Sequence, residues 1–236
     1  TRSIDSYDAD NFLAAGYIYG EFPLNKFDIS AGVRVEHNIL SLQSNTDLGP
    51  IDIENPVTST LPSLNVGYNI SERALVRFAY SRTVNRPEFR EIAPFLFYDY
   101  ENEAAKVGNA ELKTAEIDNI DLRYEFYPNK GETMSLGAFY KRFDNPIENV
   151  TQITTEQPQF NYANADSAYN YGVELEIRKS FKELTNNLYL GRLSANINAS
   201  YIFSEVDLGG DVTSQAQVRA LQGQSPYIVN VALGYT

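Results

Sequence analysis

Five charged residues fall within ten positions of one another: Arg82, Arg86, Glu88, Arg90 and Glu91. Guanidinium groups beside carboxylates can either hold an anionic or polar ligand or lock a loop through ion pairs. The second reading is the stronger from residue types alone. Pro87 and Pro94 fix the backbone around the cluster, which suits either role. Asp99, Glu101 and Glu103 follow, alternating with Tyr98, Tyr100 and Asn102. Hard cations take such oxygens, but the spacing matches no calcium loop, so a solvated acidic loop is expected and no metal. Glu174 and Glu176 could form a carboxylate pair. Their place beside Arg178 on one strand face reads instead as ordinary polar lining. No Ser-His-Asp set, phosphate-cradling glycine loop or metal-ligand spacing is present, and a single histidine, His37, precludes histidine-pair chemistry. Neither an enzyme nor a cofactor is expected.

The elements that must position this cluster alternate with a period of two. Phe12, Ala14, Gly16, Ile18, Gly20 and Phe22 share a face, as do Phe27, Ile29, Ala31, Val33 and Val35. The same pattern recurs at Leu64–Ile70, Ala74–Tyr80, Ile120–Phe126, Met134–Tyr140, Tyr171–Ile177, Leu193–Phe203 and Tyr227–Tyr235. That makes about nine strands of roughly ten residues in an up-and-down meander, with no amphipathic helix. Connections alternate short and long: tight turns near Asn25, Glu72 and Asn129, and long polar stretches at 38–60, 81–108, 144–170 and 205–225. Short turns at one end and long loops at the other are the habit of outer-membrane barrels.

Aromatics gather at the two ends of the apolar face. Phe22, Phe27, Tyr68, Phe126 and Tyr235 fall near the short-turn rim; Phe12, Tyr80, Tyr140, Tyr171, Tyr201, Phe203 and Tyr227 fall near the other. Aliphatic residues lie between. Two aromatic girdles flanking an uncharged band fit a bilayer with two interfaces. The opposite face is polar and should line a wet lumen. The expected fold class is therefore all-β, an antiparallel up-and-down transmembrane β-barrel. A soluble β adhesin module is the weaker alternative.

Composition is consistent with this. The chain has 236 residues, a net charge of −12, no Cys and no Trp. Such an acidic balance disfavours nucleic acid as a partner. No apolar run is long enough for a membrane helix, which says nothing against a barrel. No secretory leader is read at the start, and residues 1–236 are expected to be one barrel fragment without a plug domain. An open edge is not tolerated in lipid, so about nine strands imply a larger barrel.

Several stretches resemble one family. Ser81-Arg82-Thr83-Val84-Asn85-Arg86-Pro87-Glu88-Phe89-Arg90-Glu91-Ile92-Ala93-Pro94-Phe95 resembles a signature of the C-terminal barrel of TonB-dependent receptors. Gly108-Asn109-Ala110-Glu111-Leu112-Lys113, Ser135–Phe143, Asn145-Pro146-Ile147-Glu148, Asn170–Glu176 and Leu221–Tyr227 continue it in order, over about two thirds of the chain. The resemblance implies a barrel of about twenty-two strands around a plug. It also implies energy-driven uptake of a scarce nutrient (siderophore, vitamin, glycan or peptide). The implied partners are outer-membrane lipid, the plug and remaining strands, an inner-membrane energy-transducing complex acting through the plug, and a possible surface lipoprotein. Arg82, Arg86, Glu88, Arg90 and Glu91 are then candidates for touching ligand or plug. A passive porin-like barrel remains the alternative.

Overall fold

The computed structural model describes residues 7–46, 49–99, 104–153, 158–182, 184–185, 187–209 and 215–235. Nine long strands form one antiparallel sheet: β1 (Tyr7–Leu24), β2 (Phe27–Thr46), β3 (Gly49–Ser71), β4 (Ala74–Asn85), β7 (Ala115–Phe126), β8 (Thr133–Asp144), β11 (Ser167–Ser180), β12 (Leu193–Asp207) and β14 (Tyr227–Tyr235). They pair in that order, and the two-residue β13 (Val218–Arg219) adds to the far end of β12. All nine strands expected from the alternation are present. A second sheet arises inside the long connections. It comprises β5 (Leu96–Asp99), β6 (Ala104–Val107), β9 (Ile147–Ile153) and β10 (Pro158–Asn164), ordered β5-β6-β10-β9. The only α-helix among the described residues is the single turn α1 (Phe89–Ile92).

The register places the aromatics side by side. Tyr80 lies opposite Ile120, Ile120 opposite Tyr140, Tyr140 opposite Tyr171, and Tyr171 opposite Phe203. The Tyr171 and Phe203 rings are 5.1 Å apart. At the short-turn end Phe27 faces Tyr68 with ring centroids 4.8 Å apart. Between the rows, Leu122, Leu136, Val173, Leu175, Val231 and Leu233 are all exposed. A soluble sandwich would bury such a face, whereas a bilayer covers it. The other face carries ion pairs instead: Arg77 with Glu125 at 3.2 Å and Arg123 with Glu176 at 2.7 Å.

One connection departs from expectation. Residues 38–46 and 49–60 are strand and not loop, because β2 and β3 run through them as one ladder from Phe27↔Tyr68 to Thr46↔Gly49. At about 3.3 Å per residue, 20 residues of β2 extend about 65 Å, far beyond a bilayer's apolar thickness. The prolines that suggested turns are tolerated for a physical reason. β4 pairs with β3 only from Ser63 onward, so Pro50, Pro56 and Pro62 lie where β3 has a strand on one side. The stretches 81–108 and 144–170 likewise contain strands β5, β6, β9 and β10 rather than irregular chain.

The short-turn end is tied down by Glu132. Its side chain is almost fully buried, takes the Lys179 ammonium at 2.8 Å and accepts the Ser180 N–H at 3.2 Å. Lys179 holds its carboxyl below the usual range. A lowered acid value means stability that is complete above the unfolded-state value and is lost as pH falls through the folded-state value. The protection of amides in residues 128–132 and 179–182, taken relative to the intrinsic exchange rate at each pH, should therefore stay flat from neutrality down to about pH 4.3, the ordinary glutamate value, and fall below it. Glu132→Gln should flatten that profile.

Candidate functional site: the loop cap and the inner face

The sheet register separates the five charged candidates. Arg82 shares its face with Tyr80, which puts it on the apolar outer side just beyond the aromatic row. Its Nε and a terminal nitrogen each donate to Asp118 at 2.9 Å, and it reaches Glu116 at 3.3 Å. The Tyr80 hydroxyl donates to the same Asp118 at 2.8 Å. This is an anchor on the outside of the wall.

Arg86 turns the other way. After Asn85 the chain leaves β4, passes β3, and pairs Arg86 with Glu36 on the inner face of β2. Glu36 also accepts from Arg34 Nε at 2.6 Å and is itself nearly buried. Arg86 Nε is buried without a hydrogen-bond partner. Glu88 and Glu91 act within α1, where the Glu91 carboxylate accepts the Glu88 N–H at 2.8 Å in a capping box. Burial pushes the Glu91 carboxyl up. Arg90 places its guanidinium 5.5 Å from the Phe97 ring centroid. Arg86, Glu88, Arg90 and Glu91 therefore stay together, and Arg82 leaves the group. A hollow of about 510 Å³ lies between this loop base and Tyr7, Asn11 and Leu40.

Behind these residues the loop is buried. Ile92, Ala93 and Leu112 pack on Leu40 and Leu42 of β2, with Phe89, Phe95, Ile147 and Tyr162 around them. Leu40 and Leu42 share a face with Glu36, so the loop folds over the inner side of the sheet. Gly108 permits this closeness, since a Cβ there would sit 2.1 Å from the Ala93 carbonyl oxygen. Asn109 accepts the Glu111 N–H at 2.9 Å and donates to the Tyr162 carbonyl at 3.0 Å. Asn164 accepts the Lys113 N–H at 2.7 Å and donates to the carbonyls of Lys113 and Asn145. β6 pairs in parallel with β10, joining two connections in one sheet. A second core (Ala165, Ala168, Val206 and Leu208, with Val150 and Leu221) attaches the connection after β12. Arg219 adds an ion pair to Glu148 at 2.7 Å, and Asn149 donates to Gln222 at 3.0 Å. Three long connections, seated on the extended β2–β3 ladder, thus form one cap. Glu36, Asn164 and Arg219 were missed as members, because each pairs with a residue about fifty or more positions away.

Nearer the short turns the inner face bounds a hollow of about 670 Å³, with Asp28, Arg77, Asp121, Arg123, Phe139 and Glu174 among its lining. Glu176 is paired with Arg123 and not with Arg178. His37 Nδ1 lies 2.9 Å from Thr58 Oγ1, with the imidazole tautomer deciding which of the two donates. Among the described residues no group of three metal-ligating side chains converges. Of the acidic alternation, Glu101 and Glu103 lie outside the described residues.

The molecule can now be set beside known proteins. A comparison with curated protein sequences finds no match. Among solved structures, the unliganded ferric citrate transporter FecA is similar with a TM-score of 0.68 at 16% identity, over 97% of this chain and 31% of that one. The Serratia marcescens hemophore receptor HasR gives 0.68 at 11% identity, over 95% and 39%. The Pseudomonas aeruginosa siderophore receptor PirA gives 0.54 at 19% identity, over 86% and 42%. The chain spans less than half the length of each, and at these identities the likeness is one of fold. The sheet therefore has the architecture of part of such a receptor barrel, as the ordered motifs implied. A family model described as the outer membrane protein beta-barrel family matches residues 3–225, so the exposed apolar wall with its aromatic rows is a membrane wall, and the chain belongs to that outer-membrane family.

Proposed function

We propose that this chain forms part of an outer-membrane receptor that takes up a scarce nutrient by active transport. The observation that carries the reading is the cap. Long connections fold together over the inner face of the wall, beside an ion-paired, polar lumen side. A pre-folded cap at the mouth suits capture of a ligand before transport. In this reading the short turns face the periplasm and the cap faces outward. Arg86, Glu88, Arg90 and Glu91 meet ligand or plug at the mouth, and Arg82 anchors the wall below them.

Edge pairing supports a larger assembly. β1 pairs only with β2 and β14 only with β12 among the described strands. In lipid both edges need partners, so further strands of the same receptor close the barrel around a plug that couples to an inner-membrane energy source. The substrate class is a siderophore, vitamin, glycan or peptide. Mass spectrometry of small molecules co-purifying with the intact receptor identifies the ligand, and uptake of its labelled form by cells then tests the mechanism. Uptake abolished by a protonophore is expected. Uptake that persists in de-energised cells would identify a passive pore instead.

A further inference from the structure

One connection at the short-turn end is unlike the others. The β1–β2 and β3–β4 turns are Asn25-Lys26 and Glu72-Arg73, and the β7–β8 turn contains Asn129 and Lys130. The connection from Phe181 to Arg192 is longer and exposes Leu184, Leu188, Tyr189 and Leu190, with Leu188 at 85% and Tyr189 at 74%. Turns facing water have no reason to display three consecutive large apolar side chains.

We infer that this turn is a foot inserted into the inner leaflet of the outer membrane, with phospholipid as its partner. Three observations carry it. First, the turn grows out of the lipid-facing wall. The Phe181 N–H donates to the Leu193 carbonyl at 3.0 Å, extending the β11–β12 ladder, and Leu193 lies opposite Tyr235 of the short-turn aromatic rim. The exposed leucines are thus continuous with the apolar band. Second, at the tip the described backbone N–H groups of residues 189–192 find partners within the turn, as a segment entering lipid requires. The Asn187 side-chain oxygen accepts the N–H groups of Tyr189 and Leu190 at 2.9 and 3.3 Å. The Asn187 carbonyl takes the Gly191 N–H at 2.8 Å, and Arg192 N–H closes a 3-10 turn, Leu190–Arg192, on Tyr189. Third, exposed Lys182 and Arg192 flank the apolar tip. Their long stems let the charges reach headgroup phosphates while the leucines and Tyr189 enter the interface.

The test uses the intact receptor in phospholipid vesicles. The chain has no cysteine, so with any cysteines elsewhere in the receptor replaced by serine, Leu188→Cys gives a single attachment point for an environment-sensitive dye. Because Leu188 is so exposed, the substitution leaves the barrel able to fold, which heat-modifiable gel migration checks; Tyr189→Cys provides a second attachment point. Quenching by a lipid bearing a shallow spin label should exceed quenching by aqueous iodide at least threefold, while Lys130→Cys in the neighbouring polar turn shows the reverse. Strong iodide quenching at both foot positions would overturn the inference, since the tip would then stand in water. Protection from both quenchers would also overturn it, showing that protein, such as a plug or periplasmic segment, covers the tip. None of these outcomes depends on transport, so failure of the uptake reading leaves this one intact.

Discussion

Gly108→Ala detaches the loop cap from the wall while the barrel strands persist. The new methyl would sit 2.1 Å from the Ala93 carbonyl oxygen and 2.8 Å from both the Ala93 nitrogen and carbonyl carbon. Those are backbone atoms in a segment where Ala93 itself is fully buried, so no side chain can rotate to relieve the contact. Overpacking of a yielding site typically costs about 1–3 kcal/mol, and an unyielding backbone places this variant at about 3 kcal/mol or more. The cost falls on docking of residues 86–112, because Asn109 and Leu112 lie immediately beyond and lose their alignment with Tyr162 and Leu42. Hydrogen exchange or limited proteolysis of the intact receptor should show residues 86–112 opening, with the strand amides of β7 and β8 still protected. Gly16→Ala is the matched control. Nothing lies within 4 Å of its added methyl, so it should change stability by about 0.5 kcal/mol or less. Equal behaviour of the two variants would refute the close approach.

The contrast shows where the sequence was legible. Alternation exposed the wall because a lipid-facing strand repeats its chemistry every second residue, and each of the nine strands carries that repeat within itself. The same parity separates Arg82 from the ligand or plug candidates with which sequence proximity groups it, since even-numbered Tyr80 and Arg82 share a face for as long as β4 continues. Beyond Asn85 the strand ends and parity no longer applies. The meeting of Arg86 with Glu36 requires the chain to pass a neighbouring strand, and no local pattern encodes that crossing. Residues 38–60 misled for a related reason. Leu40 and Leu42 are buried by the cap and not by lipid, and Asn38 and Ser44 are buried on the same face, so polar and apolar residues mix there and the period-two signal fades. The motifs Gly108–Lys113, Asn145–Glu148 and Leu221–Tyr227 were visible only as resemblances. Their physical sense is that Asn109, Glu148, Leu221 and Gln222 join one connection to another, while Gly108 packs on Ala93 and Asn145 accepts from Asn164 within their own connections.

Glu148→Ala is expected to loosen the cap at two separate places. Glu148 lies on β9, nearly buried, and Arg219 reaches it from the connection after β12, donating also to the Asn149 carbonyl at 3.2 Å. Removing one member of a largely buried ion pair leaves the other charge unpaired, at a cost of about 3 kcal/mol. The nearer effect is release of residues 215–222. The more informative effect is on residues 86–112, which make no contact with Glu148 in the pairs described. β9 pairs with β10, β10 with β6 through parallel residues 159–161, and Ile147 beside Glu148 packs against the core built on Ile92 and Leu112. Disturbing β9 therefore removes a partner strand from one side and a core side chain from the other. Exchange should rise in both segments, and Arg219→Ala should reproduce the pattern. The double variant should cost less than the two single costs added, since each single variant strands a charge that the double variant does not contain. If exchange rises only around 145–150 and 215–222, the connections are independent loops that merely touch. If it rises across the cap, a ligand that orders one connection lowers the cost of ordering the rest, and a change at any single loop is felt across the whole mouth.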